Sequence, residues 1–348
     1  MKQLSATFEI DLPSGFLVHF PEDHQPQFRM TSPPYEVELS FLAEGPLKFW
    51  KKDDLHPKRT IQTLKVKVTN EEHASPPPRP KVGLATDEVR LWFEYFGSRL
   101  PGYQRAAAEA VNRAINYFRY RLRTPFLRPV SYQDQTFQNP SWSDDEGDDL
   151  GKGERRYMVR DVPGLTGSKM GVTHFTMALE VDLSNALQTP IEPELYEEYL
   201  MDAQASVFSD DLPRAVLGMA IACEIAAKET FFSVSTPAEA AFEYLEDKRN
   251  LRVQVVELID VPAEQAFGES FRNVNQKAFD LIECLFRCRN KVAHRGILTY
   301  RDQQKHLREL DRTTAEQWWE AADKLIGWLR NHQEKGLPAY VEPGRRQK

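Results

Sequence analysis

The segment Arg287-Cys288-Arg289-Asn290-Lys291-Val292-Ala293-His294-Arg295-Gly296 holds two guanidinium groups, an amide and an imidazole in a short helical stretch. Imidazole titrates near neutral pH and can take or give a proton there. Guanidinium forks bind anionic oxygens by paired hydrogen bonds. These groups suit proton transfer on an anionic substrate. At 100° per residue the helix has an apolar stripe of Val274, Ala278, Leu281, Ile282, Leu285, Cys288 and Val292. Arg289 falls inside that stripe. Asn290 and His294, four apart, share the other face with Arg287 beside His294. An arginine on an apolar seam needs a partner, because burying its charge alone is costly. Glu224 has the matching oddity, since it shares a face with Leu217, Ala220 and Ile221. The spacing predicts that Glu224 and Arg289 meet between two helices, as structural support more than as chemistry.

Charge around the segment points the same way. Residues 286–308 hold Arg287, Arg289, Lys291, Arg295, Arg301, Lys305 and Arg308 against one acid, Asp302, in a chain of net charge −7. The protein as a whole is therefore no general polyanion binder, and an anionic ligand belongs at this patch. Other candidate chemistry is weaker. Cys284 and Cys288 share a helix face without a second pair to complete a zinc site, and read as core. Gly164-Leu165-Thr166-Gly167-Ser168-Lys169 lacks the spacing of a phosphate loop, and the acids at Asp144–Asp149 lack that of a calcium loop. Trp318 and Trp319 read as packing anchors. The arginines at 105–123 read as a solvated face, or else as a phosphate guide.

The elements that must position these residues differ between the two halves of the 348-residue chain. Of 23 prolines, 17 fall in residues 1–192, which argues against long helices there. Alternating runs predict strands at Ser5–Leu12, Phe16–Phe20, Tyr35–Leu42 and Thr60–Val68, with turns at Pro-Ser-Gly and Ser-Pro-Pro. Two helices follow at about Asp87–Arg99 and Gln104–Arg123, then strands around Arg155–Val162 and Thr173–Val181. From Pro193 the pattern turns helical. Helices are expected at Glu194–Phe208, from an Asp211 cap to Phe232, from the capping box Thr236–Glu239, over Ser270–Ala293 and from the box Thr313–Glu316. The fold class is α+β: a mixed, strand-rich domain over 1–190 followed by an all-α bundle over 193–335.

Arg289-Asn290-x-x-x-His294, late in a helix and followed by glycine, resembles the R-x4–6-H signature of HEPN domains. Asp202-Ala203, Arg214-Ala215-Val216 and Ala222-Cys223-Glu224 are similar in type and spacing to that family's early helices. The resemblance covers residues 193–332 and leaves 1–192 unassigned. It implies a metal-independent endoribonuclease that needs no cofactor and works as a homodimer, with two motifs lining one cleft. Arg289, Asn290 and His294 would then be catalytic, with Glu224 and Arg287 supporting. Lys291, Arg295, Arg301 and Lys305 would contact RNA. RNA carries its own nucleophile, the 2′-hydroxyl, and the products would end in 2′,3′-cyclic phosphate and 5′-hydroxyl. Family analogy adds a toxin or antiviral role. Some members carry a modified tyrosine two residues after the histidine; Gly296 stands there, so that partner system is not implied. Arg287 also satisfies the loose spacing, which leaves open which arginine meets phosphate. The competing class is a catalytically silent bundle that dimerises or binds RNA or another ligand, with His294 a helix-terminal histidine. Three cysteines and the absence of an apolar leader or membrane-length run predict a cytoplasmic protein without membrane attachment.

Overall fold

A computed structural model of the chain describes residues 2–21, 24–46, 58–72, 76–77, 87–147, 149–151, 175–232 and 254–335. These fall into two compact units, the first ending at Glu192 and the second beginning at Pro193. Among the described residues no helix is long and apolar enough to cross a membrane.

The first unit is built on an antiparallel sheet. Strands β1 (Lys2–His19), β2 (Gln27–Ser32), β3 (Tyr35–Pro46) and β4 (Lys58–Glu72) alternate strictly enough to give it one apolar face. Ala6 pairs with Val68, Phe8 with Val66 and Ile10 with Leu64, and all six are buried. On the opposite face Glu9 pairs with Lys65, and Glu38 with Lys67. The strand order is β2-β3-β4-β1-β5-β6, with β5 (Ser141–Asp144) and β6 (Asp149–Gly151) short. Helix α1 (Asp87–Asn116) packs on β3 and β4. Tyr103, Ala107, Ala110 and Ala114 of its inner face are fully buried, and the Tyr103 hydroxyl donates to the Leu4 carbonyl at 3.1 Å.

Four expectations for this unit are corrected. Ser5–Leu12 and Phe16–Phe20 do not part at a turn. They form one strand, β1, which ends at His19, and Pro-Ser-Gly makes a bulge between the pairs Asp11–Thr63 and Phe16–Ile61. Pro101 does not separate two helices, because it sits on the exposed side of α1, and so does Gly97, whose carbonyl it leaves without a helical partner. α1 instead passes into a π-helical turn, Tyr117–Arg121. Thr173–Val181 is no full strand: among its described residues only Phe175–Thr176 (β7) pair, in parallel with β1. Glu180–Gln188 (α2) is helical there, with acids in its first turn and Leu183 and Leu187 buried at helical spacing. Nor are all the arginines at 105–123 solvated. Arg119 is buried and donates to the carbonyls of Pro125 and Leu127. The strand expected at Arg155–Val162, the Gly164–Lys169 loop and the Thr236–Glu239 box lie outside the described residues.

The second unit is helical. α3 (Leu195–Phe208) and α4 (Leu212–Phe231) pack together, and α4 also meets α8 (Gln276–Arg295) and α9 (Arg312–Lys335). Gly218 allows the α3–α4 approach, since a Cβ there would lie 3.1 Å from that of Ala203. Asp211 caps α4 as expected, accepting from the Arg214 N–H, with Pro213 in the first turn. Trp318 is fully buried, and the Trp319 indole donates to the Leu200 carbonyl at 3.0 Å. Short helices α5 (Val255–Leu258), α6 (Val261–Phe267) and α7 (Phe271–Val274) precede α8.

Two helix starts differ from expectation. Ser270–Ala293 is interrupted at Asn275, whose side chain accepts from the Ala278 N–H and begins α8 anew. Val274, assigned to the apolar stripe, is consequently exposed. α9 is capped not by Thr313 but by Asp311, which accepts from the Thr314 N–H at 2.7 Å, while Glu316 pairs with Arg312. The bundle also carries a hairpin between α8 and α9, with β8 (Thr299–Arg301) packed on α8 and paired to β9 (Leu307–Glu309).

Candidate functional site

The flank of α8 beside its buried stripe carries the chemistry. Ile282, Leu285, Cys288 and Val292 turn inward and are buried. Phe286, Arg289, Asn290, Ala293 and His294 recur at helical spacing and line a groove of about 620 Å³. Leu217, Ile221, Glu224 and Lys228 of α4 form the facing wall, and Gln254–Val256 close one side. Asn275 fixes where α8 begins. Gly296, at φ 65°, ends it by donating its N–H to the Val292 carbonyl at 2.9 Å. His294 therefore projects from the last turn, exposed to solvent.

Arg289 Nη2 lies 3.2 Å from Glu224 Oε1, the pairing expected from the two misplaced charges. The side chains keep 31% and 33% exposure, so the pair sits at the rim of the seam, within reach of water. Arg289 Nη1 donates to Asn290 Oδ1 at 3.3 Å. Glu224, Arg289, Asn290 and His294 thus share one open groove, with a guanidinium oriented by a carboxylate on one side and an amide on the other.

The structure separates the two arginines that the spacing left open. Arg287 is absent from the groove lining. Its Nη2 lies 3.2 Å from Glu283 Oε2 and its Nη1 donates to the Arg301 carbonyl at 3.2 Å, so its fork serves the hairpin. The expected cationic patch is likewise divided. Lys291 donates to Thr299 Oγ1 at 3.3 Å, Arg301 to the Lys305 carbonyl at 2.9 Å, and Arg308 pairs with Asp302 at 3.0 Å. Lys291, Arg301 and Lys305 are gathered around the hairpin, and Arg295 follows His294 at the exposed end of α8. None of the four lines the groove. Lys228, Phe286 and Gln254 do, and sequence reasoning passed over them. The first two had a signal: Lys228 follows Glu224 by four residues, and Phe286 precedes Arg289 by three.

The cysteines are packing residues. All three are free and buried, and burial pushes the Cys284 and Cys288 thiols up to about 11. That removes thiolate character at neutral pH. Among the described residues no group of three or more His, Cys, Asp or Glu side chains is arranged to hold a metal ion. The chain matches no protein-family model, no curated protein and no solved structure, and the geometry of the groove carries the functional argument.

Proposed function

We propose that the helical unit is an endoribonuclease of the HEPN type and that this groove is its active site. The observation that carries the proposal is the convergence of Arg289, Asn290 and His294 on one open groove beside Glu224, while Arg287, the competing arginine, faces the hairpin. A phosphodiester seated there meets a guanidinium that neutralises charge building on its oxygens. The imidazole takes the proton from the ribose 2′-hydroxyl, whose oxygen attacks phosphorus, or gives a proton to the departing 5′-oxygen. The bond to the 5′-oxygen breaks as the bond to the 2′-oxygen forms, leaving a 2′,3′-cyclic phosphate and a 5′-hydroxyl. One imidazole per groove suits one of the two proton transfers. A homodimer with two grooves facing each other supplies both. In this proposal the substrate is RNA, neither metal nor cofactor takes part, and the enzyme acts in the cytoplasm as a toxin or antiviral effector.

A second reading, a bundle that binds or dimerises without cutting, has one observation in its favour. The Arg289 fork is already engaged by Glu224 and Asn290, as it would be in a purely structural role. One experiment separates the two. Purified full-length protein is incubated with RNA in EDTA, and the ends of the fragments are analysed. The nuclease leaves cyclic phosphate ends, and both His294→Ala and Arg289→Ala abolish them while the fold persists. Undiminished cleavage by His294→Ala defeats the proposal, and an absence of cyclic ends with the native chain favours the silent module.

A further inference from the structure

Among the described residues of the helical unit, Phe286 stands apart from the other phenylalanines. Phe231, Phe267 and Phe271 each contact another aromatic ring, and Phe208 and Phe279 lie under arginine guanidiniums. Phe286 is half-buried, lines the groove, and contacts no other ring among the described residues. Because α4 and α8 run antiparallel and Glu224 meets Arg289, Lys228 of α4 faces the Phe286 end of the groove, with Val255 and Val256 at the closed side, while Leu217 and Ile221 stand toward His294. One end of the groove therefore joins an aromatic ring to a lysine, the other holds Asn290 and His294, and Arg289 stands between them. Phe286 lies about 4.5 Å along the helix axis from Arg289 and about 12 Å from His294, at 1.5 Å per residue. Gln254 lines the same groove. Its exposed side-chain amide makes no cap hydrogen bond to the helix that follows, and among the described residues it forms no other. A ring and an amide without partners among the described residues, beside a guanidinium, match the three parts of one nucleotide: a base face, a base edge and a phosphate.

We infer that the Phe286 end of the groove is a nucleobase subsite, in which Phe286 stacks on a base of a single strand and Gln254 reads that base's edge. The occupant is a base and not an apolar peptide, because Lys228, Arg289 and His294 line the same groove as the ring, where a phosphate would follow. The inference rests on the nuclease reading for the identity of the strand and adds to it a base preference next to the cut.

The test uses full-length protein and short single-stranded RNA made uncleavable by a 2′-deoxy sugar at the scissile position. Each position carries in turn a base or an abasic site, and affinity is read by fluorescence anisotropy. The native chain is expected to lose between about 5-fold and 150-fold at one abasic position, the range of a single base–aromatic stack. Phe286→Ala loses the same factor on the intact strand and becomes indifferent to the abasic site. Phe286→Tyr keeps the penalty, whereas Phe286→Leu, which retains apolar bulk, loses it. Gln254→Ala levels the affinities of the four bases at that position. Additive effects of Phe286→Ala and the abasic site overturn the inference. So does a Phe286→Ala protein that turns from dimer to monomer in sedimentation with its base penalty intact, because the ring then belongs to a contact between copies. The readout needs no catalysis. Coupling without cleavage by the native chain sinks the nuclease reading alone, cleavage without coupling sinks this inference alone, and a chain that binds no strand sinks both.

Discussion

Arg289 Nη2 and Glu224 Oε1 lie 3.2 Å apart and join the helix that carries His294 to its apolar neighbour α4. Each side chain retains about a third of its exposure, so water still screens the pair. Ion pairs of this kind contribute about 0.2–1 kcal/mol. The pair is too wet to hold the bundle together and well placed to orient a guanidinium. Arg289→Ala is therefore expected to lower stability by less than about 1 kcal/mol and to reduce RNA cleavage to background. Glu224→Gln, which can still accept from the guanidinium, retains measurable cleavage. Thermal melts beside an end-group assay check both variants, and a collapse of the fold in Arg289→Ala would make that arginine structural.

Arg287 gives the opposite expectation. Its fork is held by Glu283 and by the Arg301 carbonyl, on the hairpin side of α8. Arg287→Ala should leave cleavage within a few-fold of the native rate. The loss appears instead in the hairpin, where hydrogen exchange of the amides in Thr299–Arg301 and Leu307–Glu309 quickens. Loss of cleavage comparable to that of Arg289→Ala would return the phosphate contact to Arg287.

Much of this site was legible because helical periodicity is local. The Glu224–Arg289 pair followed from two charges on apolar faces, and the grouping of Asn290 with His294 from a spacing of four. The elements that were misjudged depend on packing or on competition between caps. Pro101 leaves α1 continuous because it faces outward, while the inner face is tied down at Tyr103 and the alanines. Asn275 interrupts a stripe that reads as one helix, because its side chain competes for a backbone N–H. The hairpin had no signal in helical periodicity, yet it draws Arg287, Lys291 and Arg301 away from the groove, and of the seven cations expected there only Arg289 lines it.

Asp311 supplies a pH-dependent prediction. The Thr314 N–H and hydroxyl hold its carboxyl below the usual carboxylate range. In the unfolded chain an aspartate protonates near about 3.9. Since the folded value is the lower one, the stabilisation is complete above the unfolded value and fades as pH falls through the folded value. Asp311→Ala should cost about 1 kcal/mol at pH near 7, with a gap to the native chain that narrows in acid. Asp311→Asn, which caps without a charge, should lose little at either pH. Urea melts of the three proteins at neutral and acidic pH decide it, and a gap for alanine that widens in acid would contradict the sign.

Two glycines of the first unit make predictions of opposite sign. Gly15 lies in the β1 bulge, where a Cβ would stand 2.8 Å from the Ile61 carbonyl oxygen and 2.9 Å from side-chain carbons of Thr60 and Gln62. Ile61 pairs with Phe16 on one side and Ala43 on the other, so its carbonyl cannot yield without breaking the sheet. Gly15→Ala should destabilise the unit by about 1–3 kcal/mol, the usual penalty of overpacking. Gly97 is in α1, where an added Cβ would meet nothing within 4 Å, and Pro101 removes the partner of its carbonyl in either case. Gly97→Ala should therefore stabilise the helix by about 0.5–1 kcal/mol, because alanine leaves less backbone freedom to lose. Chemical denaturation followed by the fluorescence of Trp92 and Trp142 measures both. If Gly15→Ala proves neutral, β1 does not approach β4 at the bulge as closely as these distances require.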